Sequence, residues 1–282
     1  MKKLQSIAGL GLLSCVLAQA AWAQEPESCK QVRFAEIGWA DIAATTGVAM
    51  TLTEGLGYKP RKIMASVPIA FTGVKNSQID VFLGYWAPSM DSVIEPFTKD
   101  GGVKVLPTPN LEGAKYTLAV NQTGFDAGIR SFEDIAKFKK ALGGKIHGIE
   151  PGNSANKTIQ QMIEKNAFDL SDFKLVESSE SDMILHVKRA DHLGKAAVFL
   201  GWEPHPMNNQ LKMNYLPGGD DYFGPNLGGA TVYTAVRKGY ASQCPNLGRL
   251  LKNLRFSLQM ENDLMEAILN QNTTPRREAK AW

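Results

Sequence analysis

Two rhythms of apolar and polar positions run along this chain. Short runs rich in β-branched and aromatic residues predict strands at 32–37, 81–83, 116–120, 145–149, 197–200 and 231–236. Between them a period near 3.6 predicts helices. One runs over 42–56 and stops at Gly57. A second is opened by Ser131-Phe132-Glu133-Asp134, at capping-box spacing, and runs to Leu142 before Gly143-Gly144. A third is capped by Asn153 or Ser154 and reaches Asn166. After Pro245 the chain reads as mostly helical, with Leu247, Leu250, Leu251, Leu254 and Leu258 on one face. Strand and helix alternate, which predicts an α/β fold.

One pattern occurs twice. Val81-Phe82-Leu83-Gly84 returns as Val198-Phe199-Leu200-Gly201, and a tryptophan follows within two residues each time, Trp86 and Trp202. Trp39, in Gly38-Trp39-Ala40-Asp41, also follows a predicted strand. Leaving aside Trp22 and Trp282, every tryptophan is therefore expected just past a strand, beside a glycine. Ligand crevices in open α/β sheets form at the carboxyl ends of strands. The plain alternative is that these rings fill satellite cores or lids. Their shared setting among loop residues favours a common cleft.

Composition sharpens the picture. With 44% hydrophobic and 21% charged residues the 282-residue chain is a folded globular one, not disordered, collagen-like or coiled-coil. Residues 1–23 read as a secretory signal peptide: Lys2-Lys3, an apolar run over 7–16, then Ala21-Trp22-Ala23 as a cleavage site. A lipoprotein, with Leu12-Leu13-Ser14-Cys15 as a loose lipobox, is the weaker alternative. Removing Lys2 and Lys3 takes the formal charge from +3 to +1, with no basic stripe, so nucleic acid is not an expected partner. No later run reaches 18 apolar residues, which predicts a soluble exported chain. Of three cysteines two remain after the leader, Cys29 and Cys244, and one disulfide is the simplest reading. It would tie both ends of the chain into one lobe.

Clustered loop aromatics suit two ligand types. Sugars stack on flat rings. Quaternary ammonium groups, which cannot donate a hydrogen bond, sit among ring faces, each worth roughly 0.5–2 kcal/mol when desolvated. Asp41 shifts the balance, whether or not it also caps the helix starting at Ile42. At 4–5 Å from a cation it would contribute up to roughly 3–4 kcal/mol at an effective dielectric of 20, and it would repel a ligand carboxylate similarly. A cation with a neutral tail is thus preferred over a zwitterion. Catalytic readings are weak. His147, His186, His192 and His205 show no metal-ligand spacing, and no GxSxG, Walker or GxGxxG motif is present. Neither a metal nor a cofactor is expected. His205 is read as a cleft or surface-loop residue, and Glu203 as a second acidic wall or a solvent-facing side chain. The carboxylates over 177–182 read as a solvated face.

At Gly38-Trp39-Ala40-Asp41 the sequence resembles periplasmic substrate-binding proteins of ABC importers, in the choline and glycine betaine branch, and most the choline-binding members. The resemblance covers essentially the whole mature chain. It implies a type II periplasmic-binding-protein fold with two α/β lobes, a ligand cleft between them, no enzymatic activity and a periplasmic location. It implies an aromatic box of Trp39, Trp86, Tyr116 and Trp202, with Asp41 and Asn153 meeting the ligand's hydroxyl. It is compatible with the Cys29–Cys244 bridge. Lobe one is expected at 24–115 and 208–282, lobe two at 116–207. The implied partners are a small quaternary amine and the permease and ATPase subunits of an ABC importer, the protein itself being a monomer. Rival readings are a glycine betaine or carnitine binder of the same fold, a secreted carbohydrate-binding protein or glycosidase using the tryptophans as platforms, and an enzyme acting on choline esters.

Overall fold

A computed structural model describes residues 25–271 and 273–282; the expected signal peptide and Cys15 lie outside the described residues. Each predicted strand is present, usually longer or shifted by a residue or two. The strands are β1 (Gln31–Glu36), β2 (Lys59–Met64), β3 (Val81–Ala87), β4 (Val103–Val105), β5 (Leu111–Asn121), β6 (Lys145–His147), β7 (Lys174–Val176), β8 (Val198–Glu203), β9 (Met213–Tyr215) and β10 (Gly229–Arg237). They run in the order β2-β1-β3-β10-β5-β8-β6-β7, with β4 on β10 and β9 on β5.

That order contains the same arrangement twice. β2, β1 and β3 are parallel and β10 closes them antiparallel. β7, β6 and β8 are parallel and β5 closes them antiparallel. The halves meet where β10 pairs with the start of β5, Gly229 opposite Lys115 and Val232 opposite Leu111. From Lys115 onward β5 pairs with β8 instead. The repeated sequence motif is thus a repeated structural position: β3 and β8 are the strands next to the antiparallel closing strand in their own halves.

Glycine in that motif serves packing. A Cβ on Gly84 would stand 2.3 Å from Cδ1 of Ile42, so the glycine lets the Ile42 side chain of the helix Ala40–Gly55 pack directly on the β3 backbone. Gly228, at φ +69°, passes so near Tyr116 that a Cβ would meet its carbonyl oxygen at 2.1 Å. Only glycine allows the chain to run past that tyrosine.

The disulfide joins Cys29 to Cys244 with Cα atoms 5.7 Å apart, both residues fully buried. It fastens the turn before β1 to the start of the helix Pro245–Asn253. Among the described residues no helix is long and apolar enough to cross a membrane.

Several local expectations are corrected. Trp86 and Trp202 lie inside the last turns of β3 and β8 rather than past them, because the strands run on to Pro88 and Pro204. Asp41 does not cap its helix: Trp39 is the N-cap residue and makes no side-chain cap, which leaves Asp41 inside the first turn. The 131–142 segment is a 3-10 helix, Phe132–Phe138, with a short α-helical end. There Asp134 accepts from the Ser131 hydroxyl and the Arg130 amide, so the capping box is not formed. The C-terminal leucine face is broken at Leu254, and Leu258 starts a separate helix, Leu258–Asn270.

Candidate ligand-binding site

The carboxyl ends of β1, β3, β6 and β8 point toward one place. Trp39 follows β1 by a short loop and holds an extended backbone just ahead of the helix Ala40–Gly55. Trp86 comes from β3 and Trp202 from β8. Tyr116 sits on β5 directly opposite Trp202 in the ladder. The rings of Trp86 and Tyr116, from the two halves of the sheet, approach to 5.8 Å between centroids at 45°. With Asp41, Met90 and Ile149 these four rings line one small cavity whose free space is about 10 Å³, so the rings stand almost in contact around it.

The walls are apolar, and among the described residues no lining side chain is basic. Asp41 is the one charged group among them. It is buried, its Oδ1 has no hydrogen-bond partner, and no basic side chain pairs with it. Burial first, then the Glu180 carboxylate, pushes Asp41 up to about 8 from its ordinary 3.8. Glu261, on the helix Leu258–Asn270, is pushed up by burial and then by Asp41. Burial raises Glu36 as well, while Lys62 draws it back. Behind the cage, then, lies a buried acidic field, with Lys62 acting on Glu36 at its edge. Uncompensated buried carboxylates take up protons, and a cation brought into the cage would let Asp41 ionise.

Tyr116 is oriented from behind. Its hydroxyl donates to Oδ1 of Asn153, which also accepts from the Ala155 amide and so caps the helix Ser154–Glu164. Burial pushes the Tyr116 phenol up, so it stays a neutral donor.

Of the six residues expected to bind ligand, Trp39, Asp41, Trp86, Tyr116 and Trp202 line the cavity together. Asn153 does not reach the wall; it stands behind Tyr116. Glu203 pairs with Lys115 at 3.1 Å and is half-exposed, because alternation along β8 turns it away from Trp202. His205 is neither a cleft residue nor a surface one. It is fully buried, its ring 4.9 Å from Trp202, and it contacts Glu180. Glu180, expected on a solvated face, is buried too.

Sequence reasoning missed Met90, Ile149 and the burial of Glu180, and it named His205 without its buried contact to Glu180. A methionine four residues past a cage tryptophan and an isoleucine ending a strand carry no signal of their own. The only trace of Glu180 was its place just after Ser179, as an acid in a helix's first turn.

Two wound half-sheets meeting over one small aromatic cavity are the architecture of a two-lobed protein that holds a small ligand between its halves. A family model described as OpuAC, substrate binding domain of ABC-type glycine betaine transport system, matches residues 30–282, and the chain belongs to that family of substrate-binding transport proteins. A solved ABC-transporter choline binding protein in complex with choline is 55% identical to it. The match covers 92% of this chain and 89% of that one, with a TM-score of 0.90. An ABC-transporter choline binding protein in unliganded semi-closed conformation is 54% identical over 91% of this chain and 88% of its own, with a TM-score of 0.85. An uncharacterized protein, ORF1, of Chromohalobacter salexigens is 49% identical over 144 residues, 51% of this chain and 90% of the relative.

Proposed function

We propose that this protein binds choline between its lobes and delivers it to an ABC importer. One observation carries the reading: three indoles and a phenol from both halves of the sheet surround a cavity whose single charged wall residue is an unpaired acid. Ring faces and a carboxylate are what a trimethylammonium group can use, and the family and its 55%-identical relative support the ligand class. In this reading Trp39, Trp86, Tyr116 and Trp202 form the box, Asp41 faces the cation and its hydroxyl arm, and Asn153 acts by holding Tyr116. A glycine betaine or other zwitterionic ligand is the second reading, favoured by the family's description. The absence of any basic lining residue to receive a ligand carboxylate speaks for choline.

Lobe one comprises 25–115 together with the C-terminal segment, and lobe two starts at 116. The return is better drawn at Gly228 than at Asn208, since β9 pairs with β5 and Phe223 packs on Phe132. We place the mature protein, with residues 1–23 removed, in the periplasm as a monomer that meets the permease and ATPase subunits of its importer.

Titration calorimetry on protein freed of ligand by unfolding and refolding tests this. Choline should bind more tightly than glycine betaine or carnitine, and sugars not at all. Tighter betaine binding would overturn the role of Asp41, and heat from oligosaccharides alone would overturn the cage.

A further inference from the structure

Glu180 opens the helix Glu180–His192, which follows β7, yet its carboxylate serves a different helix. Oε2 accepts the Ala40 amide at 3.1 Å, and Oε1 lies 3.2 Å from Nε2 of His205. The imidazole tautomer follows from its other nitrogen. Nδ1 accepts the Met207 amide at 2.9 Å, so the proton rests on Nε2 and is donated to Glu180. The same ring stands edge-on to Trp202, 4.9 Å away at 62°. A buried chain of contacts therefore runs from a cage tryptophan through His205 and Glu180 to the first amide of the helix that carries Asp41.

This chain crosses the cleft. Ala40 belongs with β1 in one half of the sheet, while Glu180, Trp202 and His205 belong with β7 and β8 in the other. It also meets a need. The helix Ala40–Gly55 begins without a side-chain cap of its own. Its exposed amides and dipole favour an anion at that end, and the anion comes from the opposite lobe. Docking there has a cost: it sets Glu180 near Asp41, two buried acids with no basic partner between them. A cation in the cage offsets that repulsion. A neutral ligand does not.

We propose that Glu180 is a closing latch: held by His205 behind Trp202, it caps in trans the helix that bears Asp41, and it stays docked when a cation fills the cage. Opening the lobes uncaps the helix and exposes the carboxylate to water. Glu180 is thus a positioning residue that touches no ligand and governs how long the ligand stays. Closure becomes a population shift driven by contacts that exist in one state only.

The inference rests on the choline reading, so its test carries two independent readouts on the full mature chain. Stopped-flow displacement gives choline release from the wild type, Glu180→Ala and Glu180→Gln. Hydrogen exchange follows the Ala40 amide in the liganded protein. Losing a hydrogen bond to a charged group should speed release about tenfold or more in Glu180→Ala, with association changed far less. Ala40 exchange should rise in step. Glu180→Gln keeps one acceptor oxygen for two donors, the Ala40 amide and the Nε2–H of His205, so it too should release choline faster than the wild type. Wild-type release and wild-type Ala40 protection in Glu180→Ala would overturn the latch, as would wild-type release in Glu180→Gln. A wild type that ignores choline fails the ligand reading instead, and the Ala40 comparison is then made with glycine betaine bound.

Discussion

Asp41 is the residue on which the chemistry turns, and its environment makes binding depend on pH. With the cleft closed over an empty cage, burial and Glu180 hold its carboxyl near 8, so at neutral pH it is mostly protonated. A quaternary cation favours the ionised form, so choline binding at pH 7 should expel most of one proton. Affinity should rise with pH through about 8 and level off above it. Calorimetry in buffers of different ionisation enthalpy measures the released proton directly, and Asp41→Asn should abolish both the release and the slope. Stability of the ligand-free protein moves the other way. A carboxyl whose folded pKa lies above its unfolded value stabilises the fold at low pH, and that contribution is lost as pH rises from about 4 through 8. Thermal melts without ligand should therefore weaken over that window, less steeply in Asp41→Asn.

At the scale of elements, strand ends and helix starts share the work. β3 and β8 bring tryptophans to the cleft at the same depth because each runs on to a proline and each lies beside an antiparallel strand. Helices that begin at the same rim supply what the strands lack. The helix Ser154–Glu164 does so through Asn153, whose one oxygen serves both the Ala155 amide and the Tyr116 hydroxyl. Asn153→Ala should cost about 1 kcal/mol of stability, the usual worth of an N-cap, and weaken choline binding as Tyr116 loses its anchor. Asn153→Asp, which keeps the acceptor, should restore the stability. Urea denaturation of the two variants, with choline titrations alongside, separates the cap from the anchor. An Asn153→Ala protein with the wild-type midpoint would show that the cap contributes nothing.

The molecule as a whole is held at its ends and hinged at its middle. The disulfide closes a separation of 215 residues, for which chain entropy gives an upper figure of roughly 5 kcal/mol. Replacing Cys29 and Cys244 together with serine should lower the stability by about 2–5 kcal/mol in denaturant titrations. Choline affinity should stay unchanged, because neither cysteine lines the cavity. A loss of affinity in the double variant would mean that the bridge also sets the geometry of the cleft. The crossing strands β5 and β10 carry the other constraint. Their pairing is short and irregular where the halves meet.

Local pattern went far toward this picture. Short β-branched runs showed where strands lie, since period and propensity act over a few residues, and the doubled Val-Phe-Leu-Gly marked two equivalent positions before any fold was known. Trp39, Asp41, Trp86 and Trp202 stood out because breakers and an acid surrounded them, and the even cysteine pair pointed to its bridge. Tyr116 came from family likeness, for a tyrosine inside a strand looks like any other. Helix ends were misread at Asp41 and Ser131 because capping depends on backbone angles and on which oxygen arrives first. The roles of Glu180 and His205 were invisible for a deeper reason. Their burial, their partners and the repulsion from Asp41 arise only when residues some 140 positions apart in the chain meet across the cleft, and no pattern of neighbours encodes such a meeting.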